Sequence, residues 1–196
     1  MIAAAHIAYL KERISRYDDQ HAYSELFISF YNPLLRFTVS LVKSKEPAEE
    51  IVSDVFIGIW QNRKQMDGIA NLKVYLYVAA KNRALNYLSR QHRHAVTSIE
   101  EAEITTDLFY PNPEQLLITA EMVRRIKEAV SQLPPQCRII FKMVKEDELK
   151  YREVAEILGI SAKTVENQLS IALKKIDSAI RFDSTKAVPA SSRPAI

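Results

Sequence analysis

Apolar positions along this chain recur at steps of three and four, the signature of helices that bury one face. Phe27, Phe30, Tyr31, Leu34 and Leu35 mark one such face. Pro33 crosses it and is expected to kink or restart the helix, because proline lacks an N–H and crowds the preceding turn. Pro47 followed by Glu49 and Glu50 makes a helix opening, with proline near the first turn and acids near the positive end of the dipole. Ile51, Val52, Val55, Phe56, Ile59 and Trp60 then follow at helical spacing. After a loop containing Asp67 and Gly68, Asn71 is placed to cap a long helix through Leu72, Leu76, Ala80, Ala84 and Leu88.

From His94 to Asn112 the period fades; Thr, Ser and acidic residues dominate, and Pro111 and Pro113 close the stretch. This is the pattern of a linker. Asn112-Pro113-Glu114 caps and opens a helix that runs to Leu133, Pro134-Pro135 breaks the chain, and a further helix reaches about Glu146. The pattern therefore predicts an all-α protein: two small helical domains, 22–94 and 113–182, joined by a flexible linker, 95–112. An N-terminal extension, 1–21, and a disordered tail, 183–196, flank them. Met1–Leu10 is apolar but lacks a basic start and runs into charged residues, so it is expected to be ordinary helix or tail and not a secretory leader.

Composition narrows the function classes. With 3 glycines in 196 residues, at Gly58, Gly68 and Gly159, a turn-rich β fold and a glycine-rich phosphate loop are both disfavoured. The single cysteine, Cys137, excludes an internal disulfide and a cysteine-rich zinc site, and its apolar surroundings suit a buried thiol. No run is long enough for a membrane-spanning helix, and a reducing, cytoplasmic setting fits. His6, His21, His92 and His94 form no ligand set, so no metal, cofactor, catalytic residue or small-molecule substrate is expected. The formal charge is only +3, so its distribution matters more than its size.

The segment from Tyr151 to about Ile176 has the pattern of a helix-turn-helix. Val154, Ala155 and Leu158 face inward on a short first helix; Gly159 falls where the turn needs a positive φ; Ile160 plugs the core. Ser161 caps the second helix, whose Val165, Leu169 and Ala172 face inward. Ala162, Lys163, Glu166, Asn167 and Ser170 are left pointing outward near the helix start, where a recognition helix meets base edges, and Lys174, Lys175 and Arg181 can reach phosphates. An ordinary core hairpin shares part of this pattern, but not the joint set of Ala, Gly and inward Ile, Val and Leu at these spacings.

Two helices upstream are charged with opposite sign. From Asn71 to His94 the chain carries Lys73, Lys81, Arg83, Arg90 and Arg93 without an acid, together with Asn82, Asn86 and Gln91 and with Tyr75, Tyr77 and Tyr87. Cations track phosphates and aromatics stack on unpaired bases, so this helix suits nucleic acid. The helix from Pro47 to Trp60 carries Glu49, Glu50 and Asp54, preceded by Glu46, and meets no base until Arg63. Its apolar face is wide, so one stripe can bury inside while the other edge packs on a partner.

Together these segments resemble the extracytoplasmic-function (ECF) sigma factors of bacterial RNA polymerase. The resemblance rests on Ala48-Glu49-Glu50-Ile51-Val52-Ser53-Asp54-Val55-Phe56, on Tyr75-Leu76 through Asn82, Asn86 and Arg90, and on Leu133-Pro134-Pro135-Gln136-Cys137-Arg138 followed by the helix-turn-helix. It covers roughly Tyr23 to Arg181, and Lys163–Gln168 looks especially like sigma factors of the Bacteroidetes. It implies that the first domain holds core polymerase through Glu49, Glu50, Ser53, Asp54, Phe56, Ile59 and Trp60. The loop from about Gln61 to Ala70 would take a flipped base of the minus-ten element, with Asn71, Lys73, Lys81, Asn82, Arg83, Asn86, Arg90 and Arg93 on the melted strand. The second domain would read the minus-thirty-five element through Ser161, Ala162, Lys163, Thr164, Glu166, Asn167, Ser170 and Lys174. The implied partners are core RNA polymerase, promoter DNA and an anti-sigma factor, often membrane-bound in this family. Ser53 stands where the family often has Gln, Asn86 where Asp is frequent, and Glu166 where a base is common. The competing class is a stand-alone helix-turn-helix regulator whose N-terminal block dimerises or senses a signal.

Overall fold

The computed structural model describes residues 3–94 and 116–184, with side chains described for 3–91 and 122–179. Helices account for the ordered elements: α1 (Ala4–Tyr17), α2 (Gln20–Val42), α3 (Lys45–Gln61), a 3-10 segment (Arg63–Gly68), α4 (Leu72–His94), α5 (Leu116–Ser131), α6 (Pro135–Lys145), α7 (Tyr151–Leu158) and α8 (Ala162–Ser184). The linker expected at 95–112, the Asn112-Pro113 cap and residues 185–196 of the expected tail lie outside the described residues.

The first domain packs α2 against α3 and α4, and α1 against α2 and the 3-10 segment. The N-terminal helix is integral to this packing. Leu10 and Ile14 have no exposed surface and join the same cluster as Leu26, Phe30, Val52 and Phe56. Asp18 ends α1 in the left-handed region (φ 53°), and Asp19 then caps α2 by accepting from the main-chain N–H groups of His21 and Ala22 at 3.0 and 3.1 Å. Those bonds and Arg13, 2.8 Å away, hold the Asp19 carboxyl below its usual range.

Pro33 does not end α2, which runs through it. Of the two expected outcomes, a kink or a restart, the restart does not occur, because Phe30, Leu34 and Phe37 are all buried on one face and that packing outweighs the loss of one backbone hydrogen bond. Asn71 does cap α4, accepting from Val74 N–H at 3.2 Å.

In the second domain α8 packs on α5, α6 and α7. The double proline works as expected: Pro134 precedes α6 and Pro135 occupies its first turn. The Arg138 guanidinium donates back to the carbonyls of Leu133, at 3.0 Å, and Ser131, satisfying the end of α5. Cys137 is buried, with Sγ 2.7 Å from Gln168 Oε1. Gly159 has the positive φ the turn requires, 71°. Ile157, not singled out from the pattern, is fully buried beside Val154, whereas Leu158 is only half-buried.

If α1 is core, truncating it has a core-sized effect. Leu10→Ala is expected to cost about 3 kcal/mol, read as a lower urea midpoint; a change under about 0.5 kcal/mol, the surface value, would show that α1 is an appendage.

Candidate nucleic-acid interface

The wide apolar face of α3 is used almost entirely inside the domain. Ile51, Val52, Val55, Phe56 and Ile59 are all buried, and Trp60 is half-buried beneath the Arg63 guanidinium, 4.6 Å from its ring centre. Phe56 and Ile59, expected at a partner surface, are turned into the core, because α2 and α4 cover both apolar stripes. The outer edge consists of Glu50, Ser53, Asp54 and Ile57, all exposed, with Glu49 half-buried. Asp54 accepts from Arg83 of α4 at 3.2 Å, tying the acidic helix to the basic one.

On α4, Leu72, Val74, Leu76, Tyr77, Ala80 and Ala84 are buried. Asn82, Arg83, Asn86 and Arg90 are exposed and Lys81 is half-buried; the side chain of Arg93 lies outside the described residues. Of the three tyrosines, Tyr77 is core, Tyr87 is half-buried and Tyr75 is exposed. Tyr75 joins Gly58, Ile59, Asn62, Gln65, Met66 and Ile69 around a cavity of about 110 Å³. That cavity sits at the expected base-accepting loop. An aromatic ring, two amides and an apolar floor suit a flat, polar-edged guest.

Asn71 and Lys73 have a different placement. Both are engaged by the second domain. Lys73 Nζ donates to the carbonyls of Asp147 and Glu148 at 2.8 and 3.2 Å, and Asn71 Nδ2 donates to Glu153 Oε1 at 2.8 Å. The other Glu153 oxygen accepts from Lys150 N–H at 2.8 Å, so one carboxylate caps α7 and holds Asn71. Glu148 adopts a left-handed conformation (φ 52°) in the turn that presents these carbonyls. At its centre Asp147, 3% exposed, is paired with Arg36 at 2.9 Å, and the buried Tyr77 hydroxyl lies beside it without completing a hydrogen bond. Burial pushes the Asp147 carboxyl above its ordinary value while Tyr77 and Arg36 pull it down. Burial also lowers Lys73, against the raising effect of Glu153, Asp147 and Glu148. Sequence reasoning could not find this contact, because Arg36 and Asp147 are far apart in the chain and neither belongs to a motif.

Within the helix-turn-helix, Glu153 of α7 makes the contact to the first domain, whereas the outward residues at the start of α8 are engaged locally or exposed. Ser161 Oγ accepts from Thr164 N–H at 3.0 Å, capping α8. Ala162, Lys163, Glu166, Asn167, Ser170 and Lys174 are exposed and Thr164 is half-buried. Glu166 is paired with Lys163 at 2.9 Å, so the acid expected to alter base preference also partners the neighbouring cation.

Comparison with known proteins agrees with this geometry. Residues 26–94 match the family "Sigma-70 region 2", and residues 123–176 match "Sigma-70, region 4". The chain is 26% identical over 180 residues to the ECF RNA polymerase sigma-E factor of Escherichia coli, covering 88% of this chain and 93% of that one. It is 25% identical over 145 residues to the RNA polymerase sigma factor YlaC of Bacillus subtilis, covering 74% and 84%. This chain belongs to the extracytoplasmic-function sigma factors. Two solved structures share the fold of this sigma factor. The RpoE–NepR complex from Bartonella quintana has a sigma chain 18% identical (TM-score 0.60), covering 82% of this chain and 98% of that one. The structure of CnrH with the cytosolic domain of CnrY matches at 16% identity (TM-score 0.52), covering 91% of this chain and 97% of that one. The region 2 match takes in most of α2 together with α3 and α4, and the region 4 match takes in the helix-turn-helix, while α1 precedes both. Among the described residues of this sigma factor, no helix is long and apolar enough to cross a membrane, and no cluster of His, Cys, Asp and Glu could hold a metal ion.

The Arg36–Asp147 pair sets a direct test of the domain contact. Arg36→Ala strands a buried carboxylate and is expected to weaken domain packing by about 2 kcal/mol. Small-angle scattering should then show a larger radius of gyration; an unchanged radius would mean that the contacts of Asn71 and Lys73 and the apolar packing hold the two domains without this pair.

Proposed function

We propose that this alternative sigma factor divides its work between the two domains, 22–94 and 113–182, with the exposed edge of α3 as its seat on core RNA polymerase. Glu49, Glu50, Ser53 and Asp54, together with Ile57, would form that seat; Phe56, Ile59 and Trp60 support it from beneath. The observation that carries the reading is the pair of matched regions in order, region 2 and then region 4, each with an outward face of the right chemistry. Catalysis belongs to the polymerase, beside which the protein works in the cytoplasm. Lys163–Gln168 supports assignment to the Bacteroidetes branch of the family.

The cavity beneath Tyr75 would receive one unpaired base of the minus-ten element, and the polar and apolar contacts around it offset an unstacking cost of a few kcal/mol. Lys81, Asn82, Arg83, Asn86, Arg90 and Arg93 would follow the melted strand, with Asn71 and Lys73 joining once released. At roughly 3.4 Å per base pair, elements centred 10 and 35 positions upstream are about 85 Å apart. α7 resting on α4 cannot serve both, so the domains must part for initiation. Of the structures of similar fold, the sigma factor RpoE was solved with the anti-sigma factor NepR, and CnrH with the cytosolic domain of CnrY. An anti-sigma factor, including a membrane-anchored one, is the proposed regulator here.

Run-off transcription with the full chain and purified core polymerase on a promoter library tests this. Core-dependent, promoter-specific initiation is expected. Tight duplex binding with no core-dependent transcript would instead establish a stand-alone regulator. On the recognition helix, Ser161, Ala162, Lys163, Thr164, Glu166, Asn167, Ser170 and Lys174 would meet the minus-thirty-five element, with Glu166 positioned to accept from a cytosine amino group. Glu166→Ala is expected to relax sequence choice more than it weakens binding. It also frees Lys163 for phosphate, steepening the salt dependence by about one unit of log K per log salt. Equal loss of affinity on specific and random duplexes would rule this out.

A further inference from the structure

The segment that forms the floor and rim of the base-sized cavity is shaped from outside the matched regions. Arg63–Gly68 is a single stretch of 3-10 helix with one buried side chain, Met66. Such a segment has little core of its own to fix its backbone. The α1 helix and the residue that ends it make polar contacts to both ends of the segment. Lys11 Nζ donates to the carbonyls of Ile69 at 2.9 Å and Asp67 at 3.4 Å. Ser15, 4% exposed, donates its hydroxyl to Asp67 Oδ1 at 2.8 Å, and Arg16 Nε approaches the other oxygen at 3.4 Å. The Ser15 hydroxyl, followed by Arg16, holds the Asp67 carboxyl below its ordinary range. At the far end the left-handed Asp18 turns its carboxylate onto Lys64, at 3.0 Å, and onto Arg63.

These bonds connect directly to the cavity. Gln65, Met66 and Ile69, three of its lining residues, lie between or at the clamped positions. Leu10 and Ile14 are anchored in the core, so the clamp is attached to rigid structure. A loop held in its binding shape gives up less order when the guest arrives, and discriminates among guests more sharply.

We infer that α1 is a positioning element for base selection: Lys11, Ser15 and Asp18 preform the 63–69 backbone so that the cavity accepts one base of the opened promoter in preference to others. This inference rests on the proposed reading of the cavity as the site of an extruded minus-ten base. Lys11, Ser15 and Asp18 are positioning residues, since none of them lines the cavity.

The test is run-off transcription by the full chain with core polymerase on a template pool in which each minus-ten position is randomised, with transcripts sequenced. The wild-type chain should show one position of strong base preference. Lys11→Met and Ser15→Ala should each reduce preference at that position about fivefold, the effect of roughly one hydrogen bond. Preferences at the minus-thirty-five element should stay unchanged. Ser15→Thr, which retains the hydroxyl, should restore the preference that Ser15→Ala loses. If Ser15→Ala folds poorly, Lys11→Met decides alone, because its amine lies at the surface of the core. Full base preference in Lys11→Met, or a loss spread evenly over both elements, overturns the inference. Absence of any core-dependent transcript from the wild-type chain overturns instead the sigma reading on which it rests.

Discussion

Ile51, Val52, Val55, Phe56 and Ile59 are buried together on α3, between α2 and α4, and the surfaces of the first domain follow from that burial. Removing so much apolar area from water holds the helix in one rotational setting, at about 25 cal/mol per Å². With those positions inward, Glu50, Ser53, Asp54 and Ile57 have to face out. The same setting places Gly58 and Ile59 in the wall of the cavity and puts Asp54 within reach of Arg83. It also fixes the start of the 3-10 segment, because Asn62 ends α3 with its N–H on the Gly58 carbonyl at 3.1 Å. Tyr23 secures the arrangement by donating its hydroxyl to the Phe56 carbonyl at 2.9 Å.

The second domain is coupled to this frame by a contact of mixed chemistry. Apolar residues of α6, α7 and α8 join the cluster that begins at Leu10 in α1, and a polar knot lies at its margin. A buried carboxylate is costly unless paired, which makes Arg36 and Asp147 a specific contact more than a strong one. The contact occupies Asn71 and Lys73, which the proposed function would need on the promoter strand. On that reading, stability of the closed arrangement and access to DNA would oppose each other. Any partner that prefers one arrangement shifts the balance by its differential affinity alone.

Charge on α4 and α8 is arranged differently. On α4 an acid-free run keeps Asn82, Asn86 and Arg90 open, with Arg83 the cation tied across to α3. On α8 the acid Glu166 sits one turn from Lys163 and pairs with it. An exposed pair of that kind contributes little to stability. On the proposed reading of α8 it would withhold one cation from phosphate and offer one acceptor to a base edge.

Much of this was written in the sequence. The period of apolar residues gave the helices from α2 to α8, the Asn71 and Ser161 caps, the double-proline start of α6 and the left-handed turn at Gly159, because each depends on residues within a few positions of one another. The charge signs of α3 and α4 were legible for the same reason. What the pattern could not decide was whether one or both members of each adjacent apolar pair on α3 face inward. Phe56 and Ile59 looked available to a partner, and only the positions of α2 and α4 show them buried. Pro33 looked like a kink or a restart, yet the core face of α2 continues through it. The clamp from Ser15 to Asp67 and the pair from Arg36 to Asp147 join residues 52 and 111 positions apart. Such contacts carry no local signal; they exist only once burial has brought distant helices together. The sequence by itself thus determined the elements and the family, while tertiary structure decided which side chains those elements leave free.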